Sequence, residues 1–472
     1  MAVNRNGLRL GRSSCARIAG REAGRWRRGS EHVQHVVVLG GSIAGLAATR
    51  ALRGQGLAVT VVEPDGLATT GARGGVPQGG QLHALLDMGR TQAERWFPGL
   101  SKDLVADGAV LASGDGIQLY ENGTRKVSVP GNELIGVTRT LLEDHVRRRT
   151  VLDDGVSVRV GRACGLDIRN GRVTGVRVRT AGSAEVSALP ADAVVDATGR
   201  SSRLTSWLAA EGWPEPPADR MRIDLGYATA RFRRGGELPG VSVAHQLPGA
   251  AAERLDTGAM AAVEGDQWMA VIVAYADRRP SRDPAEFLRR MREMGAGPFG
   301  VVADRCAMIG EVETYSMSHS LRRNWWALDR LPGGLFVVGD AVASFNPVYG
   351  QGMTSAFLHA SCLAAHLRRG ADLHAPARAY FRHVRVVVDA AWEVSTLSDL
   401  AQPHVTGPYP RGYRVARRMA DWMARASTTD AWVNERFLDV VNMRRRPAAL
   451  RTPEFWWRVA AALRAQAAQP GR

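Results

Sequence analysis

Residues 35–63 read HVVVLGGSIAGLAATRALRGQGLAVTVVE. Val36 to Leu39 are a continuous aliphatic run, the pattern of a strand buried on both faces of a parallel sheet. A glycine turn follows, then a helical stretch, then a second apolar run from Ala58 to Val62 that ends in Glu63. That succession is a βαβ unit of the kind that cradles a dinucleotide. Gly40 permits the sharp turn out of the first strand, Gly45 lets helix and strand approach closely, and Ser42 stands where a second fingerprint glycine would stand. A pyrophosphate would face the helix N-terminus, whose unpaired amides and partial positive charge favour an anion. Glu63, 18 residues after Gly45, is placed to accept the hydroxyls of an adenosine ribose and disfavours a 2′-phosphate. A βαβ unit with no nucleotide is the competing reading, and Ser42 is what favours it.

At 472 residues the chain is long enough for two or three domains around a large core. Its net charge of +16 does not point to nucleic acid: 60 of the 62 basic residues are Arg, Lys102 and Lys126 being the exceptions, and no nucleic-acid-binding signature accompanies them. The excess reads as compositional bias. Four separated cysteines, Cys15, Cys164, Cys306 and Cys362, support neither a disulfide framework nor a metal site, and fit a reducing, cytoplasmic setting. No stretch approaches the roughly 18 apolar residues of a membrane span. Residues 1–32 are rich in Arg, lack an apolar core and are expected to form a tail outside the fold.

After Glu63 comes a glycine-rich loop, Gly66 to Gly80, with Arg73, Gln81 and His83 as polar candidates. The spacing of Leu82, Leu85, Leu86 and Met88 predicts a helix, and a second is expected from Arg139 to Arg149. Arg139 in its first turn opposes the helix dipole unless an anion lies nearby. Val156 to Val160, then Val173 to Val178 after the Asn170-Gly171 turn, read as strands, as does Val194 to Asp196 leading into DATGRSSRLTSWL. From 222 to 321 the texture is that of an antiparallel sheet interrupted by a helix, Pro284 to Met294. There Trp268, Met269, Val271 and Val273 offer apolar surface for a ligand, whereas His245, Tyr227 and Tyr315 read as packing residues. The buried-strand pattern resumes at GLFVVGDAVASFNPVYGQGM, and beyond 371 helices are expected in which Trp422, Trp432, Trp456 and Trp457 pack. The fold expected is α/β: a Rossmann-type domain (33–221 and 322–370), an inserted mixed or antiparallel sheet domain (222–321) and a C-terminal helical region (371–472).

Three motifs in one order, GGSIAG, DATGRSSR and GDAVASFNPVYGQGM, resemble FAD-dependent monooxygenases of the para-hydroxybenzoate hydroxylase-like group over residues 33–370. Within that group GVPQGGQLHALL and GYATARFR look most like actinomycete flavin epoxidases acting on polyketide-derived polyenes. The resemblance implies that Gly40, Gly41, Ser42, Ala44 and Gly45 cradle the FAD pyrophosphate and that Glu63 holds the ribose. Arg139 would pair with the pyrophosphate or ribityl region, and Arg73 would also belong to the cofactor site. Gly339-Asp340 would meet the ribityl chain, and Pro347, Gly350, Gly352 and Met353 would form the turn under the flavin ring. Asp196 and Gly199 would lie beside the cofactor, unless Asp196 only caps its own turn. The implied reaction is transfer of one oxygen from a C4a-hydroperoxyflavin, formed with O2, to an alkene of a polyketide- or terpenoid-type intermediate. NAD(P)H or a partner flavin reductase would supply electrons. Catalytic side chains are not assigned, no metal is expected, and a redox-neutral cyclase that keeps FAD as a structural cofactor is the alternative. A flavin halogenase would carry a W-x-W-x-I-P motif, which Trp325-Trp326 does not supply.

Overall fold

The structure, a computed structural model, describes residues 33–67, 79–83, 85–247, 256–295 and 297–468. Residues 1–32 and Arg73 lie outside the described residues. His35–Leu39 runs near the centre of a seven-stranded sheet, in parallel register with Ala193–Asp196 on one side and Ala58–Glu63 on the other. Leu335–Val337 and the first residues of Val156–Arg169 complete a five-stranded parallel core. Val36 to Leu39 are fully buried, as an uninterrupted aliphatic run requires. The strand Val156–Arg169 is longer than its apolar start suggests, because its second half leaves the parallel sheet and forms a meander with Arg172–Thr180 and Val186–Pro190. Asn170 and Gly171 both take positive φ, 50° and 77°, the backbone a tight hairpin turn demands.

The second sheet has eight strands in the order Ala343–Ser344, Met308–Arg323, Ala218–Arg233, Gln267–Tyr275, Thr257–Val263, Val243–Leu247, Ile117–Glu121 and Thr124–Arg125. It takes in chain from outside 222–321 at both edges. Ile117–Glu121 pairs in parallel with Val243–Leu247, a partnership between distant segments that no local pattern announces. Side chains of Gln267–Tyr275 alternate between its two faces. Trp268, Ala270 and Ile272 pack against Phe287 and Met291 of Pro284–Glu293 and Phe299 of Gly297–Arg305, while Val271 and Val273 lie on the other face with Tyr227 and Met317.

Two local expectations are corrected. The helix expected from Leu82 begins at Asp87, whose carboxylate suits a first turn, and Leu86 before it is extended; Leu85 instead bridges to Ile135. In the C-terminal region the helices are Arg378–Asp399, Tyr413–Ala426, Ala431–Val441 and Pro453–Ala467. Trp432 and Trp456 pack on Phe455 there, but Trp457 is 70% exposed and packs little. Among the described residues no helix is long and apolar enough to cross a membrane.

Candidate active site

The βαβ turn is closed by backbone contact. A Cβ at Gly45 would stand 1.8 Å from the carbonyl oxygen of Gly40, so only glycine allows the helix Ile43–Arg53 to sit so near the strand end. Gly40 takes φ 100°. Gly41 donates its N–H to Glu63 Oε2 at 2.6 Å, and Glu63 Oε1 accepts from Asp65 N–H at 3.2 Å. The carboxylate therefore fixes the turn. Ser42 is the N-cap of the helix, yet its hydroxyl makes no capping hydrogen bond. Its hydroxyl is thus not spent on the helix it caps.

A cavity of about 1250 Å³ opens beside this turn, and residues far apart in sequence meet on its wall. Ser42, Ala44, Arg139, Gly199, Gly339, Asp340, Pro347, Gly350, Gly352 and Met353 all line it, while Gly40, Gly41, Gly45, Glu63 and Asp196 stand behind that surface. Asp196 is fully buried and its carboxylate is taken up locally: Thr198 N–H and Oγ1 donate to Oδ1 at 2.9 and 2.6 Å, and Ser202 Oγ to Oδ2 at 2.5 Å. Its effect on the cavity is through the turn it shapes. Arg139 Nε donates to Glu143 Oε1 at 2.8 Å, which supplies the anion that its place in a first helical turn requires.

Asp340 is different. Burial pushes its carboxyl above the usual carboxylate range, while the charges of Arg139, Arg200 and Arg323 pull it down. No described residue hydrogen-bonds to its carboxylate, so a half-buried acceptor faces the cavity without a protein donor, as a ligand hydroxyl would need. Gly352 is equally open, since a Cβ there would meet nothing within 4 Å. The residues present thus fit a dinucleotide cofactor: a free serine hydroxyl at one helix N-terminus, an unsatisfied carboxylate, and an open glycine at a second helix N-terminus, Gln351–Arg368.

Buried groups that the sequence did not single out hold this wall. His359 accepts the Gly339 N–H on Nδ1 at 3.0 Å, and burial lowers its pKa to about 3, so the ring stays neutral and able to accept. Asn346 spends its whole amide on the second turn: Oδ1 accepts from Val348 N–H at 3.0 Å, and Nδ2 donates to Asp399 Oδ1 at 2.6 Å and Tyr275 Oη at 3.0 Å. Asp399 belongs to the C-terminal helix Arg378–Asp399, so that region reaches the site. Tyr227, Tyr315 and His245, read from sequence as packing residues, line the cavity, as do Val271 and Val273. Trp268 and Met269 do not. Lys126, one of two lysines in an arginine-rich chain, is also on the wall, and that rarity was the sequence signal for it.

Solved structures of several enzymes share this fold. The brominase Bmp2, described as flavin-dependent, superposes with a TM-score of 0.63 over 92% of this chain and 98% of its own, at 16% identity. p-Nitrophenol 4-monooxygenase PnpA from Pseudomonas putida DLL-E4 gives 0.61 over 88% and 99%, also at 16% identity. 2-Methyl-3-hydroxypyridine-5-carboxylic acid oxygenase gives 0.58 over 82% and 97%, at 18% identity. In sequence the chain is 32% identical over 430 residues to Protein Rv3254 of Mycobacterium tuberculosis (strain ATCC 25618 / H37Rv), covering 86% of this chain and 88% of that protein, and it belongs to the same family. No family model matches it.

Proposed function

We propose that this protein is a flavin-dependent monooxygenase that transfers one atom of dioxygen to an alkene of an apolar polyketide- or terpenoid-type substrate. The observation that carries the reading is the shared cavity. One wall holds Ser42, Asp340 and Gly352, the groups that fit a dinucleotide, and the facing sheet supplies Val271, Val273 and Met317 to an apolar ligand. FAD, when bound, would supply the reduction of dioxygen and the delivery of one of its atoms.

The chain's own residues bind, orient and enclose. Gly40, Gly41, Ser42, Ala44 and Gly45 would receive the pyrophosphate at the helix N-terminus, with Glu63 behind them for the ribose. Asp340 would accept from the ribityl hydroxyls, and Arg139 would balance phosphate charge. Pro347, Gly350, Gly352 and Met353 would put backbone amides and a helix N-terminus beside the flavin's pyrimidine edge, which favours negative charge there. Tyr227 and Tyr315, with ring centroids 5.5 Å apart, border the cavity where it turns from polar to apolar. The apolar part of the cavity wall would keep water from the reaction and present one double bond.

NAD(P)H or a partner reductase would provide electrons. Anaerobic addition of NADH and of NADPH to the purified yellow protein, followed by air, tests the reading through flavin absorbance. Bleaching by one donor or by an added flavin reductase, then recovery of colour on aeration, is expected. A protein that binds no flavin would overturn the reading.

A further inference from the structure

The cavity has a polar site that no cofactor role uses. At the edge of the eight-stranded sheet Lys126 donates its backbone N–H to Leu119 O at 2.7 Å, and Leu119 lies opposite His245 on the neighbouring strand. Lys126, His245 and Glu121 all line the cavity. The Lys126 side chain is only 2% exposed; its Nζ lies 3.2 Å from Glu121 Oε2 and 4.6 Å from the centroid of the Phe437 ring. An ammonium has three N–H groups. Glu121 accepts one and the face of Phe437 attracts another, which leaves one with no partner among the described residues. His245 has no ring hydrogen bond to a described residue either. Burial first, then the charge of Lys126, lowers its pKa to about 4, so at neutral pH it is an uncharged ring with one N–H donor.

Burying a charge is costly, and an apolar side chain would fill the Lys126 position more cheaply, while His245 is half-buried on the cavity wall with its ring nitrogens unspent on described residues. The identity of the cation is also telling. In a chain where 60 of 62 basic residues are Arg, position 126 keeps Lys. A point charge with rotatable donors suits a single ligand oxygen, whereas a planar guanidinium suits a carboxylate. Since Glu121 already balances Lys126, the site offers donors without net positive charge. It favours a neutral acceptor over an anion.

We propose that Lys126 and His245 form a substrate-anchoring site that takes a neutral carbonyl oxygen, a ketone, ester or amide, on the apolar substrate. The inference rests on the monooxygenase reading for what lies at the cavity's other end, and it deepens that reading. His245 lies three strands from Thr229 in the register of the sheet, roughly 14 Å at about 4.8 Å per strand, and Tyr227, two residues before Thr229 on the same face, shares the cavity wall with Asp340 and Arg139. A substrate gripped at its carbonyl would therefore be oxidised at a bond well removed from it. Lys126 and His245 are positioning residues in this account, because neither reaches the cofactor end.

Calorimetric titration of the flavin-loaded full chain with 2-tridecanone, 1-tridecene and dodecanoate tests this. The ketone should bind at least tenfold tighter than the alkene and tighter than the carboxylate. That advantage should disappear in His245→Phe, and in the double variant Glu121→Gln/Lys126→Met, which removes both charges together so that neither is left buried alone. Flavin content should match the unsubstituted protein in both. Equal binding of ketone and alkene, tighter binding of dodecanoate, or an undiminished ketone preference in both variants would each overturn the proposal. Colourless protein with an intact ketone preference would instead sink the monooxygenase reading and leave the anchoring site standing.

Discussion

At the scale of single residues the account rests on carboxylates whose surroundings give them different work. Glu63 fixes the Gly41 amide and is proposed to hold the ribose. Glu63→Ala should weaken FAD binding by about 1–3 kcal/mol, roughly 5- to 150-fold in Kd, the cost of losing a hydrogen bond to a buried charged group. Equilibrium titration of the apoprotein with FAD measures it, and unchanged affinity would remove Glu63 from the site. Asp399 is a case for pH: burial raises its pKa to about 7, and the Asn346 hydrogen bond only partly offsets this. A folded-state value above the unfolded one favours the protonated fold. Stability should therefore fall as pH rises from about 4 to about 7, by an amount on the order of 4 kcal/mol, and stay level above that. Urea unfolding at stepped pH should show this slope, and Asp399→Asn should flatten it. Glu63 was legible from its spacing in the sequence. Asp399 was not, because a lone Asp late in a helix signals nothing until folding brings it to Asn346.

At the scale of elements the two helix N-termini at the cavity make contrasting demands on glycine. Gly45→Ala forces a Cβ against the Gly40 carbonyl, which is backbone and has no room to give, so soluble yield and melting temperature should both drop. Gly352→Val meets open space, and replacing a helical glycine costs little stability or adds some. It should keep the melting temperature and lose bound flavin and turnover, since the new side chain occupies the space assigned to the cofactor. Circular dichroism beside flavin absorbance separates the two outcomes. The βαβ unit and the strand-turn-helix at Gly334 to Leu367 were readable because buried parallel strands announce themselves as short aliphatic runs. The sheet edge at Ile117–Glu121 was not, since its parallel partner lies more than a hundred residues on. Trp268, Met269, Val271 and Val273 were read as one apolar surface, but Trp268 packs on the opposite face, and of the four Val271 and Val273 line the cavity.

At the scale of the whole molecule, two sheets and a C-terminal helical region line one large cavity, and the proposed chemistry depends on all three. The order of the three glycine-containing motifs carried the fold in the sequence. What it left out was the contribution of residues 371–472, where Asp399 steadies the turn under the proposed flavin and Phe437 covers Lys126. The most direct test of the central claim is a turnover under labelled dioxygen. The purified protein, with NAD(P)H or a flavin reductase and a polyene ketone, is given ¹⁸O2 in unlabelled water, and the product is weighed by mass spectrometry. The account predicts one ¹⁸O atom per product molecule and no product when the flavin is kept oxidised and oxygen is excluded. Full conversion of the polyene without oxygen, with the flavin oxidised throughout, would contradict it and make the protein a redox-neutral cyclase.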